Sequence, residues 1–199
     1  MPDVLNDRRE DLLVQKASHD NAAFQNLYEQ YFGRVYSYVA AKVNDQLDAE
    51  DLVSDIFLQV VKGLPQFKNQ HQFSFAAWVF TIARNAVTDF YRRQGRIVDE
   101  LQWDTLHNNE ADDVEFDTLL IEQERFAELS IMLNLLPERR REVMLLKYFS
   151  GLRNIEIAQI LSLDERTVAS HISRGLKDLY DAYARKLKTG EGTVHDESR

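Results

Sequence analysis

Between Asp164 and Leu179 the chain runs DERTVASHISRGLKDL. Val168, Ile172, Leu176 and Leu179 recur at three- and four-residue spacing, which predicts a helix that buries that face. The opposite face carries Arg166, Ala169, Ser170, Ser173, Arg174 and Lys177. Cations can pair with phosphate oxygens, and short hydroxyls and an arginine fork can reach base edges. Asp164 is positioned as the N-cap, its carboxylate accepting free backbone N–H groups of the first turn. Upstream, GLRNIEIAQIL places Ile157, Ala158, Ile160 and Leu161 on one apolar face, and Ser162 and Leu163 fill a turn. A short helix, a small-residue turn and a second helix with a polar outer face form a helix-turn-helix, which lays its second helix in a major groove. The same pattern fits a helical hairpin buried in a core, so the rest of the chain must decide.

The elements that would position this helix are helical throughout. The 199 residues contain 44% apolar side chains but only 7 Gly and 3 Pro, with few β-branched runs, which predicts an all-α protein of one large or two small domains. No cysteine occurs, excluding a disulfide framework, a zinc–thiolate site and thiol catalysis. No apolar run is long enough to span a bilayer, and the start MPDVLNDRREDLL is too polar for a signal peptide. A cytoplasmic chain without membrane insertion is expected.

The net charge of −9 argues at first against a nucleic-acid partner. Its distribution reverses that reading. Ile97 to Glu128 holds eleven acids and one base, a net of −10, so the remainder sums to +1. Basic clusters flank the acidic stretch: Arg84, Arg92, Arg93 and Arg96 before it, Arg139, Arg140, Arg141 and Lys147 after it. A polyanion responds to the local field, not to the total.

Residues 1–21 read as a polar lead-in with a short helix around Glu10–Ala17. A first helical domain covers 22–96. Its first helix carries Phe24, Leu27, Tyr28, Tyr31, Phe32, Val35, Tyr36 and Val39. Asp48 is expected to cap a second helix, with Leu52, Val53, Ile56, Phe57, Val60 and Val61 inward and Gly63 and Pro65 ending it. After the polar loop 66–73, Ser74 can cap a third, whose inner face carries Trp78, Val79, Ile82, Ala83, Ala86, Val87 and Phe90. Residues 97–118 lack periodicity and read as an acidic flexible linker, although Leu101, Trp103, Leu106 and Phe116 could dock. The second domain, 119–187, resumes a helix that Pro137 stops, followed by a helix over Glu138–Phe149 and the helix-turn-helix; 188–199 reads as a disordered tail.

Two blocks carry a family resemblance: DAEDLVSDIFLQVVKGLPQF with FAAWVFTIARNAVTDFYRRQGR, and LPERRREVMLLKYFSGLRNIEIAQIL with ERTVASHISRGLKDL. In this order and with this gap, they resemble the extracytoplasmic-function group of bacterial RNA polymerase sigma factors. The resemblance implies two partners, core RNA polymerase and promoter DNA, and a controlling anti-sigma factor. It implies polymerase binding by Asp48, Glu50, Asp51, Ser54 and Asp55, where acids on an exposed helix face can pair with arginines of a partner helix. Ser54 replaces the commoner glutamine. It implies recognition and melting of the minus-ten element by the loop residues Lys68, Asn69, Gln70, His71, Phe73 and Ser74 and by Asn85, Thr88 and Asp89. Arg84, Arg92 and Arg93 would stand near phosphate. Aromatic and small polar loop groups can hold an unstacked base. The loop is about two residues longer than the family's usual form, so the pocket residue stays open among these. Minus-thirty-five recognition would fall to Arg166, Thr167, Ala169, Ser170, His171, Ser173, Arg174 and Lys177, with Arg139, Arg140 and Arg141 on backbone phosphates. The family commonly has arginine or lysine where Ala169 and His171 stand. The linker reads equally as a self-repelling tether and as a segment threading the polymerase cleft.

No phosphate loop, paired-carboxylate, nucleophile or metal-ligand pattern is evident, and the five histidines are scattered. The expectation is a non-enzymatic chain without cofactor or metal. Two alternatives differ in what they predict. A regulator with a sensing domain requires a ligand or phosphoacceptor site in the first domain. A partner-binding module gives no promoter-specific transcription with core polymerase.

Overall fold

The computed structural model describes residues 3–43, 45–67, 74–95 and 132–190, and among these every element is helical. In chain order these are α1 (Asp3–Ala17), α2 (Asn21–Ala40), α3 (Gln46–Phe67), α4 (Phe75–Arg93), α5 (Glu138–Met144) running into a π-helical turn (Leu145–Phe149), α6 (Asn154–Leu161) and α7 (Glu165–Gly190). The lead-in belongs to the first domain, since α1 is longer than expected and packs on α2 with Val14 and Ala17 buried. α7 likewise runs past Lys188 to Gly190. The acidic linker, Arg96 and the loop residues Lys68, Asn69, Gln70, His71, Gln72 and Phe73 lie outside the described residues.

Helix starts follow side-chain chemistry. Asp20 Oδ1 accepts from Ala22 N at 2.9 Å and Ala23 N at 3.4 Å. Ser74 Oγ accepts from Ala77 N at 3.1 Å, and Asp164 Oδ1 from Thr167 N at 2.8 Å, as expected for both. The cap of α3 is not Asp48 but Asp45, whose carboxylate accepts from Asp48 N at 2.9 Å. A second carboxylate thus stands three residues before the one that the apolar pattern selects, and the helix starts from it.

One helix end and two core assignments change. α3 passes through Gly63 and Pro65 to Phe67. Pro65 removes only the bond to the carbonyl of Val61, on the solvent side near the helix end, while Phe67 is held by Phe75 and Trp78 at ring distances of 5.5 and 4.8 Å. Gly63 serves contact rather than termination: a Cβ there would sit 2.7 Å from Trp78 Cζ2. Val61 faces outward at 47% exposure, and Leu64 takes the buried position. In α7 the inward row is Val168, Ile172, Gly175 and Leu179, while Leu176 is 48% exposed. Gly175 lets α7 approach α5, since a Cβ there would meet Met144 Sδ at 2.8 Å.

α4 is buried over a wider arc than expected, leaving one exposed stripe. Phe75, Ala76, Ala77 and Phe80 join Val79, Ala83, Ala86 and Val87 in the core, because α3 covers one side and the second domain covers another. α6 lies against α4, and the π-helical turn lies against α2. Polar bonds tie this contact. Arg34 Nε donates to Ser150 O at 2.6 Å, with its guanidinium over the Tyr31 and Phe80 rings. Tyr38 Oη donates to Glu142 Oε1 at 2.6 Å and Lys42 Nζ to Glu142 Oε2 at 2.5 Å. Ser74 Oγ donates to Glu156 Oε1 at 3.0 Å.

Candidate nucleic-acid interface

The outer face of α7 is open. Arg166, Ala169, Ser173, Arg174 and Lys177 are exposed, and Ser170 and His171 are half-buried. Thr167 is committed to the cap: its hydroxyl donates to Asp164 Oδ2 at 2.6 Å, and these bonds hold the Asp164 carboxyl below the usual carboxylate range. Burial, followed by the fields of Arg140, Arg139 and Arg174, pushes the His171 imidazole below its ordinary value. His171 is therefore a neutral hydrogen-bonding group at pH 7, set among guanidinium groups.

The arginine run splits by geometry. Neighbouring helix residues point about 100° apart, so three consecutive arginines cannot share a face. Arg139 is exposed. Arg140 pairs with Asp178 of α7 and ties the recognition helix to α5. Arg141 is buried and caps the preceding turn, donating to the carbonyls of Leu133 at 3.2 Å, Asn134 at 2.9 Å and Leu136 at 3.1 Å. It is a structural residue and is removed from the phosphate contacts.

On α4, Asn85, Asp89, Arg92 and Arg93 form an exposed stripe. Asp89 pairs with Arg92, and its carbonyl accepts from Arg93 Nε at 3.3 Å. Thr88 returns its hydroxyl to Arg84 O at 2.9 Å. Arg84 Nε lies 3.8 Å from Glu142, so this candidate turns toward the second domain. Ser74, counted with the loop, is spent on the α4 cap and on Glu156. Phe67, Phe75 and Trp78, on either side of residues 68–73, pack edge-on or tilted against one another at ring distances of 4.8 to 5.6 Å.

α3 presents Glu50, Asp51, Ser54 and Asp55 to solvent, with Asp48 half-buried at its first turn. The sequence pattern missed what flanks them. Leu47 is 72% exposed and Leu58 55%, and with Asp51, Ser54 and Val61 they recur at spacings of four, three, four and three. That is a heptad seam, apolar at its ends and polar at its middle, fit for a partner helix. The signal was present in the sequence, but a helix with two apolar stripes reads as one broad buried face.

Sequence comparison matches these same segments. Residues 27–97 match sigma-70 region 2, and residues 127–179 match sigma-70 region 4. The sigma factor BldN of Streptomyces coelicolor, of the extracytoplasmic-function group, is 30% identical over 168 residues, covering 84% of this chain and 63% of BldN. The chain belongs to the extracytoplasmic-function group of sigma factors. The sigma factor SigZ of Bacillus subtilis is 28% identical over 151 residues, covering 76% of this chain and 81% of SigZ. The chain thus spans less than two thirds of BldN but about four fifths of SigZ. CnrH, solved with the cytosolic domain of CnrY, shares the fold at a TM-score of 0.67 and 21% identity, over 88% of this chain and 97% of CnrH. The sigma factor RpoE of Bartonella quintana, solved with the anti-sigma factor NepR, does so at 0.60 and 22%, over 79% and 94%. In this sigma factor α3, α4 and all but the first turns of α2 fall in region 2, whereas α1 and the last turns of α7 lie outside both matched regions.

Proposed function

We propose that this sigma factor binds core RNA polymerase through α3 and directs it to promoters in the cytoplasm. The second domain reads the minus-thirty-five element with Arg166, Ala169, Ser170, His171, Ser173, Arg174 and Lys177, while Arg139 meets a phosphate. The first domain opens the minus-ten element with the loop 68–73 and with Asn85, Asp89, Arg92 and Arg93. The observation that carries this reading is one chain bearing both an outward-facing recognition helix and the exposed Leu47–Asp51–Ser54–Leu58–Val61 seam. The seam gives the polymerase apolar ends to bury and acids to fix register. Arg174 is the best placed base reader, because its fork can engage guanine O6 and N7 together. The polymerase supplies the chemistry, and this chain supplies the address. An anti-sigma partner covering the same seam would keep the chain from polymerase. RpoE of Bartonella quintana, which shares the fold, is solved in complex with an anti-sigma factor, NepR. The test is in vitro transcription with core polymerase on a promoter library; if no start site depends on this chain, the reading fails.

A further inference from the structure

One buried group has no part in that reading. Glu142 of α5 is only 8% exposed, and its carboxylate is held by side chains of the other domain. Oε1 accepts from the Tyr38 hydroxyl at 2.6 Å and lies 3.8 Å from Arg84 Nε. Oε2 accepts from Lys42 Nζ at 2.5 Å, and Lys42 also reaches Tyr38 Oη at 3.2 Å. A hydroxyl, an ammonium and a guanidinium converging on one anion form a donor set that also suits phosphate. One helical turn before Tyr38, Arg34 holds a second oxygen of the second domain, the carbonyl of Ser150. The ridge 34–38–42 is thus met by three oxygens, from Ser150 and Glu142, that come from outside its own domain.

This closed packing cannot read a promoter. The two elements lie about 25 base pairs apart, or roughly 85 Å along the duplex at 3.4 Å per step. A compact chain of this length has a radius of gyration of about 16 Å and is roughly 40 Å across. The domains must part for both elements to be bound, and parting takes Glu142 away from its donors. Arg84 is half-exposed at the edge of the α4 stripe that carries Asn85 and Arg92, so a strand held by that stripe can bring a phosphate to the vacated donors.

We propose that Tyr38, Lys42 and Arg84 form a binding site for a backbone phosphate of the strand opened at the minus-ten element, and that Glu142 fills this site while the domains are closed. The proposal rests on the sigma-factor reading above. It makes Glu142 an internal competitor of DNA: the carboxylate stands in for a phosphate until polymerase and promoter pull the domains apart.

The test uses the full-length chain and a labelled single-stranded deoxyoligonucleotide titrated at several salt concentrations. Glu142→Gln removes the competing charge and keeps the side-chain shape. The expected result is about tenfold tighter binding. The chain has no cysteine, so dyes at Gln30→Cys and Asp181→Cys, both exposed, report the distance between domains, which should lengthen in Glu142→Gln. Adding Lys42→Met should abolish the gain and lower the salt slope by about 0.7, the share of one phosphate on a single strand. Arg84→Gln, at a half-exposed position, repeats the test where loss of folding is not a concern. Unchanged binding in Glu142→Gln, or an unchanged slope in both cation variants, overturns the proposal. If the wild-type chain selects promoters with core polymerase while these variants bind as wild type does, only the phosphate site falls. If the variants behave as expected but no start site depends on the chain, the sigma-factor reading falls instead.

Discussion

Replacing Arg141 should destabilise the second domain without weakening its grip on DNA in the folded state. Arg141→Met keeps the aliphatic stem and removes the guanidinium, which donates to three carbonyls between Leu133 and Leu136. A buried acceptor left without a partner costs about 1–3 kcal/mol. Three would cost roughly 3–9 kcal/mol, but Leu135 is exposed and Asn134 half-buried, so water can reach part of this turn. The lower part of that range, about 3–5 kcal/mol, is the expected loss. A chain of this size loses about 2–4 °C in Tm per kcal/mol, giving a fall of roughly 6–20 °C. Calorimetry or thermal circular dichroism of the full chain measures it. The control is Arg139→Ala, on the exposed face two residues earlier. Its stability should stay within about 0.5 kcal/mol of wild type, while its affinity for minus-thirty-five duplex falls and its salt slope drops by about 0.9. A wild-type Tm in Arg141→Met, or equal losses of DNA affinity from both variants at full stability, would refute the assignment of these two arginines.

Arg174→Ala should cost about 1–3 kcal/mol of discrimination at one base pair of the minus-thirty-five element, read from binding to a library of single-base variants; uniform weakening across all bases would make Arg174 a phosphate contact. Leu58→Glu should reduce affinity for core polymerase about 10- to 100-fold by removing an apolar contact of about 1.5–3 kcal/mol, with Tm unchanged because the position is 55% exposed; native polymerase affinity would exclude the seam. Gly175→Ala should cost about 1–3 kcal/mol as Met144 is displaced and α7 is pushed off α5, and a neutral result would show that Met144 has room to move. The contact between domains should weaken in acid. Burial alone would raise the Glu142 carboxyl, but the charge and hydrogen bond of Lys42, the hydrogen bond of Tyr38 and the charge of Arg84 hold it below the ordinary 4.5. With the closed-state value below the open-state one, the stabilisation is present above about pH 4.5 and is lost as pH falls through the lower value. The dye-to-dye distance should lengthen over that window in the wild-type chain and stay flat in Glu142→Gln.

The sequence by itself determined the helices, their order and the outward face of the recognition helix. Apolar spacing in α7 and the carboxylate of Asp164 are local properties, and caps and amphipathic faces act within a few residues. The same locality made the acids of α3 legible as a solvent face. Single residues misled where a helix has more than one neighbour. The apolar row through Leu176 and the one through Gly175 differ by one position, and only the close approach of α5 selects the glycine. The run Arg139–Arg141 reads as one basic patch in sequence, but the helix turns its members to solvent, to Asp178 and to the carbonyls of the preceding turn. Glu142 looks like an ordinary surface acid, because the donors that bury it lie about 60 to 100 residues away in sequence. Local propensity fixes which way a helix points its side chains, but only the tertiary packing of one domain on the other decides which of those side chains meet water, DNA or each other.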